Sequence, residues 1–300
     1  MKKLIITADS GCDIGVFENS NIPTATISSY IISNSGNQYK DILEINNEKI
    51  YQMAKKGEKF KTSAPNVDDF EKFFSELLKD YEFIVHLTIS SNISLGNTNN
   101  SHFVADKLNK EKKRIYIIDS RQVSCGGKLA CYAFMKILEE TGDIERSIDI
   151  FKNSVLNKTV YMGIVPDATG FIESGRNLSE LKTSQKWKLH TVNVLKKLGM
   201  KFQITVNDGK LVQAGLKRFS GDNLFTNFFK NHINKVGLEN ISDECLFYGT
   251  SFTKNENCIN NFEDYVNSLN YFKHIERKDL SSVVGCFVCE NTFFFSYLKK

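Results

Sequence analysis

No stretch of this chain is apolar for long enough to cross a bilayer, no basic cluster is interleaved with aromatics, and no glycine-rich loop carries a phosphate-binding lysine. Each absence removes a class of function. A spanning helix needs about 20 apolar residues, whereas the run after the first lysines, Leu4 to Ala8, has five. That run is also too short for the core of a signal peptide. The chain is therefore expected in the cytoplasm, with no membrane span. Its net charge of +4 is spread along the whole length, so no nucleic-acid partner is expected. Ser10-Gly11 and Gly126-Gly127 fit neither the Walker nor the dinucleotide pattern, and no nucleotide or other cofactor is expected.

Catalytic and metal signatures are missing as well. The seven cysteines are odd in number and scattered through a chain without an export signal, which argues against a disulfide framework. Cys286 and Cys289 form a C-x-x-C, but a zinc site needs a second ligand pair and none is spaced to provide it. A serine hydrolase would need a G-x-S-x-G elbow followed by an acid and a histidine. There is no such elbow, and His86, His102, His190, His232 and His274 stand alone. No catalytic and no metal-binding residue is assigned, and the chain is not expected to be an enzyme.

Phenylalanine is abundant: 23 of 300 residues, against one Trp and five Met. An interior of Phe, Ile, Leu and Val suits either dense packing or an apolar cavity. The length is enough for two domains, with about 100–200 residues being usual for one. In the first half, strand patterns at Lys3 to Ala8, Pro23 to Ser33, Phe83 to Ile89 and Arg114 to Ile118 alternate with helix patterns. The helices are read at Asn47 to Lys56, Val67 to Lys79, Asn97 to Lys110 and Gln122 to Glu140. That alternation implies a three-layer α/β/α domain with a mostly parallel sheet, over residues 1–156.

From about residue 155 the pattern changes. Strands are read at Thr159 to Val165, Met200 to Val206, Lys210 to Gly215, Glu244 to Thr250, Ser281 to Val288 and Thr292 to Leu298. A helical stretch runs through Trp187 and Leu195, and a helix lies near Ile259 to Leu269. Asn207-Asp208-Gly209 is a hairpin signal. A second α/β domain with a largely antiparallel sheet is expected over 157–300.

The carboxyl ends of parallel strands meet one edge of the sheet, where the following helices aim their N-terminal N–H groups. Here those ends carry hydroxyls: Asp9-Ser10, Ser90-Ser91-Asn92-Ile93-Ser94 and Asp119-Ser120, with Thr62-Ser63-Ala64-Pro65 before the Val67 helix. Any one such turn is explained by helix capping, with Asn66 or Asp68 as the cap of the Val67 helix. Several at one edge make a site of neutral donors suited to an anion of modest charge, such as a carboxylate.

In order along the chain, these segments resemble the DegV family. Thr7-Ala8-Asp9-Ser10-Gly11-Cys12-Asp13 is similar to its T-D-S-x-x-D with one residue's difference, Tyr39-Lys40-Asp41 to its Y-x-D, and Thr62-Ser63-Ala64-Pro65 to its T-S-Q-P. Ser90-Ser91-Asn92-Ile93-Ser94, with Leu95 in the glycine place, is similar to S-S-x-[IL]-S-G, and Ile118-Asp119-Ser120 to Gly126 is similar to I-D-S-x-x-x-S-x-G. Gly175-Arg176-Asn177-Leu178-Ser179, Asp208-Gly209-Lys210-Leu211 and Leu216-Lys217-Arg218 echo the second half.

The resemblance implies a non-catalytic protein that binds a long-chain fatty acid between two domains and presents its carboxylate to a separate fatty acid kinase subunit. It assigns Thr62, Ser63, Ser91, Asn92 and Ser94 to the carboxylate, and Arg176, Lys217 and Arg218 to docking of the kinase. The family's C-terminal glycine-rich H-V-G-P-G segment corresponds here to Val284 to Thr292, with Phe287 where the histidine would be. Phe287 and Cys286 are thus candidate ligand contacts that cannot supply an imidazole. Two other readings stay open: an enzyme acting on a small acyl or phosphoryl substrate through Thr62, Ser91 or Ser94, and an interaction-only protein whose pocket has collapsed.

Overall fold

A computed structural model describes residues 2–17, 20–167, 169 and 193–300. Its architecture is mixed α/β. Four strands, β1 (Lys2–Asp9), β2 (Thr24–Ile27), β6 (Tyr81–Thr88) and β7 (Ile115–Asp119), form a parallel sheet in the order β2-β1-β6-β7. Beside it, β3 (Tyr30–Ser33), β4 (Gln38–Lys40) and β5 (Phe60–Ser63) make a small antiparallel sheet in the order β4-β3-β5. The second half builds a six-stranded sheet from β8 (Thr159–Val165), β9 (Met200–Asn207), β10 (Lys210–Arg218), β11 (Ile241–Thr250), β12 (His274–Arg277) and β13 (Phe293–Lys299). Its order is β10-β9-β8-β13-β11-β12, antiparallel throughout except for the β11/β12 pair.

Local chemistry explains most of the helices. In α1 (Asn47–Lys55), Asn46 caps by accepting from the Lys49 N–H. In α2 (Val67–Asp80), Asn66 and Asp69 form a reciprocal capping box, 2.9 Å each way. α3 spans Leu95–Leu108 and α4 spans Cys125–Thr141, the latter ending on Gly142 in the left-handed conformation. α5 (Ile144–Ile150) continues into a π-helical turn at Phe151–Val155.

Two sequence expectations are overturned. Pro23 to Ser33 reads as one strand, but the chain breaks at Ser28-Ser29, where the Ser29 N–H donates to Ser10 Oγ at 3.1 Å instead of joining a ladder. The two pieces, β2 and β3, enter different sheets. Ser281 to Val288 reads as a strand but contains the short helix α8 (Ser282–Gly285). The Asp13 carboxylate accepts from the Ser281 N–H and the Asp41 carboxylate from the Ser282 N–H, each at 2.8 Å, and these bonds take the donors a strand ladder would need. Sequence reading also missed β5, β12 and α6 (Leu224–Val236), and α7 (Glu256–Ser268) begins three residues before the helix read at Ile259. The helix expected through Trp187 lies largely outside the described residues.

Helix α4 is apolar on nearly every side and is buried between the two large sheets. Its Leu129 and Phe134 share one core with Val85, Leu87 and Ile118 from the parallel sheet and Tyr161, Ile204 and Phe294 from the other. The outer face of the six-stranded sheet is covered by α6 and α7. There Phe225 stacks on Phe293 at 4.5 Å and Phe229 meets Phe295 edge-on at 4.9 Å. Strand alternation sends Phe293 and Phe295 to this face and Phe294 to the other. Much of the phenylalanine content therefore serves packing. Among the described residues, no helix is long and apolar enough to cross a membrane.

Candidate functional site

Where the carboxyl edge of the parallel sheet faces the inner side of the six-stranded sheet lies a cavity of about 40 Å³, partly open to solvent. All of its polar side chains except Tyr161 come from the first half, namely Asp9 at the end of β1, Ser29, Thr62 and Ser63 at the end of β5, Ser94 before α3, and Asn97 in its first turn, beside the apolar Ala64, Ile89, Ile93 and Val123. The facing wall is apolar and comes from the second half, including Tyr161, Ile204, Leu211, Val284, Phe287 and Phe294. Thr62 and Ser94 are half-buried and Ser63 is exposed, whereas Tyr161 and Phe294 are buried. Thr62, Ser63 and Ser94 are thus the solvent-accessible polar groups of the cavity, while Asp9, Ser29 and Asn97 are buried.

The hydroxyls differ in how they are engaged. Ser94 occupies the N-cap position of the 14-residue α3 but makes no side-chain capping bond. Instead its Oγ accepts from Asn97 Nδ2 at 3.0 Å, which leaves its O–H free to donate to a ligand beside a helix N-terminus. Asn97 Oδ1 is buried without a partner. Ser63 Oγ donates to the Ala64 carbonyl at 3.2 Å. Thr62 pairs with Ile31 across the β3–β5 ladder, which fixes its position.

Ser91 and Asn92, assigned to the carboxylate from sequence, are not on the cavity wall. Ser91 Oγ donates to Asp119 Oδ2 at 2.6 Å, and Asn92 Nδ2 to the Asp208 carbonyl at 2.9 Å. Together with Ser90 Oγ, which donates to the Gly209 carbonyl at 2.6 Å, and an Arg121–Asp208 ion pair, Asn92 clamps the β9–β10 hairpin onto the first half. The hairpin signal is accurate: Asp208 and Gly209 both have positive φ, 50° and 74°, as a type I′ turn requires. A Cβ on Gly209 would lie 2.5 Å from Ser90 Oγ, so this clamp closes only over glycine.

At the C-terminal segment, Phe287 does line the cavity. Cys286 does not; its thiol faces the Val283 carbonyl at 3.5 Å. Glu290 is held away in an ion pair with Lys55 at 2.6 Å. Lys217 and Arg218 are exposed at the end of β10, with the Lys217 ammonium bonded to Asn231. Arg176 lies outside the described residues. Sequence reading placed Asp9 at the site's edge without assigning it a role, and missed Ser29, Asn97 and the second-half lining except Phe287. Asp9 had a usable signal, as the first polar residue after a buried strand.

No lysine, arginine or histidine is among the cavity's lining residues. The one carboxyl among the lining residues is that of Asp9, whose two oxygens accept from the Gly11 N–H at 3.0 Å and the Ile89 N–H at 2.7 Å. Burial pushes its carboxyl up to about 7, partly opposed by those two N–H groups. Burial likewise lifts Asp13 to about 7 and raises Asp41. His86 is buried in the first-half core, bonded to Thr7 at 2.9 Å, and burial drives its imidazole down to about 3. It is thus a neutral core residue away from the hydroxyls. Among the described residues, no group of three or more His, Cys, Asp or Glu is arranged to hold a metal ion.

Comparison with known proteins gives one consistent picture. A family model described as "Uncharacterised protein, DegV family" matches residues 3–300. The DegV domain-containing protein TTE1491 of Caldanaerobacter subterraneus is 28% identical over 133 residues, 42% of this chain and 44% of its own length, so the match spans less than half of that relative. The DegV domain-containing protein SACOL1460 of Staphylococcus aureus is 24% identical over 64% of this chain and 71% of its own. Among solved structures, a fatty-acid-binding DegV family protein from Thermus thermophilus superposes with TM-score 0.79 at 18% identity, covering 99% of both chains. The Streptococcus pneumoniae Fatty Acid Kinase B3 protein loaded with linoleic acid gives TM-score 0.80 at 16% identity, covering 99% of this chain and 100% of that one.

Proposed function

We propose, from the premise that this chain belongs to the DegV family, that it binds a long-chain fatty acid in the cavity between its two sheets and presents the carboxylate at the surface to a separate kinase. In this reading residues 1–156 hold the carboxylate and 157–300 the acyl chain, and the chain itself makes and breaks no covalent bond. The observation that carries it is the mixed lining of the cavity, which joins solvent-accessible hydroxyls and a helix N-terminus from the first half to apolar side chains of the second half, buried Tyr161 and Phe294 among them. Thr62, Ser63 and Ser94 are the proposed carboxylate donors, with Ser91 and Asn92 supporting the turn from behind. Exposed Lys217 and Arg218, with Arg176, are proposed to meet the kinase, since rim charges act on encounter more than on affinity. The linoleic acid held by the S. pneumoniae relative supports the ligand class.

The energetics suit a carrier. Burying some fourteen methylenes at about 0.8 kcal/mol each gives roughly 11 kcal/mol, against an association cost of about 4–15 kcal/mol. Hydroxyl bonds to a carboxylate, at about 1.5–3 kcal/mol each, roughly offset its desolvation. The tail supplies affinity and the hydroxyls set orientation. A cavity of 40 Å³ has room for about three waters, so an acyl chain enters only if apolar side chains move aside.

That small volume also favours a second reading, an interaction-only protein with a closed pocket. Mass spectrometry of the organic extract of purified protein separates the two. A fatty acid near one per chain is expected; protein that arrives empty and takes up no added fatty acid favours the closed pocket. Thr62→Val combined with Ser94→Ala should weaken fatty acid binding about 10- to 100-fold, the loss of two charged hydrogen bonds in part replaced by water, with little change in melting temperature. Unchanged affinity in a displacement assay would remove these hydroxyls from the site.

Phe287 adds a gain-of-function test. Phe287→His supplies an imidazole on the cavity wall, and carboxylate binding should tighten below the ordinary histidine pKa of about 6.5 and weaken above it. A variant with neither gain nor pH dependence would mean that residue 287 faces the acyl chain and not the carboxylate.

A further inference from the structure

Phe294 stands in the middle of the inner face of the six-stranded sheet, and on both neighbouring strands the residue paired with it is glycine. Gly163 on β8 is one partner and Gly249 on β11 the other. The two gaps differ. The Gly249 side is closed by backbone, since a Cβ there would lie 2.0 Å from the Lys278 carbonyl oxygen. The Gly163 side is filled by the phenyl ring itself: a Cβ on Gly163 would lie 2.1 Å from both Cδ1 and Cε1 of Phe294. The ring then reaches Tyr161 and stacks on it, with centroids 5.2 Å apart and planes 24° from parallel.

A strand side chain ordinarily stands away from the sheet. Standing upright, the Phe294 ring would enter the cavity it lines. Lying in the Gly163 gap, it is withdrawn toward the sheet. Phe294 is a buried lining residue of the cavity, whereas Thr62 and Ser94 are solvent-accessible ones.

We propose that Phe294, folded into the gap over Gly163 and stacked on Tyr161, is the stop against which the methyl end of the acyl chain rests. It thereby sets the longest straight chain the protein accepts. This rests on the fatty-acid reading above and adds to it the residue pair that measures chain length. Because the interior is close-packed, ring and acyl chain compete for the same space. Emptying the gap admits a longer chain, and filling it from the glycine side pushes the ring into the cavity and admits only a shorter one. The two substitutions act in opposite directions, which a purely structural role would not produce.

The test is displacement of a fluorescent fatty acid by a saturated series from decanoic to eicosanoic acid, on wild type, Phe294→Ala and Gly163→Ala. The tightest-binding length should move up by about four carbons in Phe294→Ala, the depth of a phenyl ring in a close-packed cavity, and down in Gly163→Ala. Should either variant fail to fold, Phe294→Leu keeps an apolar side chain in the gap and should still move the optimum upward. Wild type that binds no member of the series overturns the fatty-acid reading and this inference with it. Wild type that binds, with the same optimum in the Phe294 variants, overturns the stop alone.

Discussion

Asp13→Asn should raise the melting temperature markedly at pH 8 and much less at pH 5. Asp13 is buried, and burial lifts its carboxyl from 3.8 to about 7 in the fold, with the Ser124 and Ser281 hydroxyls and the Ser281 N–H pulling it part of the way back. Below about pH 4 both folded and unfolded chains hold the proton, and the group contributes nothing to pH dependence. Between about 4 and 7 the folded chain holds a proton the unfolded chain has released, so stability falls as pH rises. Above about 7 the fold carries a buried charge at full cost, on the order of 4 kcal/mol at about 1.4 kcal/mol per pH unit.

Asparagine removes that cost without disturbing the contacts. Its Oδ1 can keep the 2.8 Å bond from the Ser281 N–H. Its Nδ2 replaces Oδ2 beside the Ser124 and Ser281 hydroxyls, which lie near that oxygen without full hydrogen-bond geometry and can turn to accept from an amide. The left-handed backbone at residue 13, φ 50°, suits asparagine as well as aspartate. Asp9→Asn is the contrasting case, because both Asp9 oxygens accept backbone N–H bonds. An amide N–H would then face an N–H, and this variant should lose stability even at pH 8. Thermal melts across pH check both. An equal gain for Asp13→Asn at pH 5 and pH 8 would mean that Asp13 is not protonated in the fold.

Gly249→Ala should be the most damaging glycine-to-alanine change among the described residues. The added Cβ falls 2.0 Å from the Lys278 carbonyl oxygen, a backbone atom that no rotamer change can move. The segment is pinned on both sides, since the Lys278 N–H donates to the Tyr248 carbonyl at 2.8 Å and the Leu280 N–H to the Thr250 carbonyl at 2.9 Å. Side-chain overpacking typically costs about 1–3 kcal/mol. A backbone overlap in a central strand should exceed that, on the order of 4 kcal/mol or more. Loss of the cooperative melt or of folded yield is expected, and a melt within about 2 °C of wild type would show that β11 and the 278–280 segment can separate at little cost.

Sequence alone determined the alternation of elements, the parallel first sheet and antiparallel second, the hairpin at Asp208-Gly209, and the gathering of hydroxyls at strand ends. These follow from period, glycine and turn chemistry, which act over a few residues and leave a local signature. Of the hydroxyls so marked, Thr62, Ser63 and Ser94 line the cavity, while Ser91 and Asn92 are committed to Asp119 and to the hairpin. No local pattern separates the two groups, because the partner that claims Asn92 is 116 residues away.

Tertiary structure alone decided the rest. The break at Ser28-Ser29 and the helix at Ser282–Gly285 depend on bonds between distant residues, such as Asp13 to Ser281 across 268 residues, and the raised carboxyls of Asp13 and Asp41 depend on burial among elements far apart in the chain. The three consecutive phenylalanines read alike as a sequence, yet Phe293 and Phe295 pack under α6 and α7 while Phe294 meets the cavity. Periodicity tells which side chains turn to the same face. What each face meets is set by packing between elements far apart in the chain, and that is where the cavity is made.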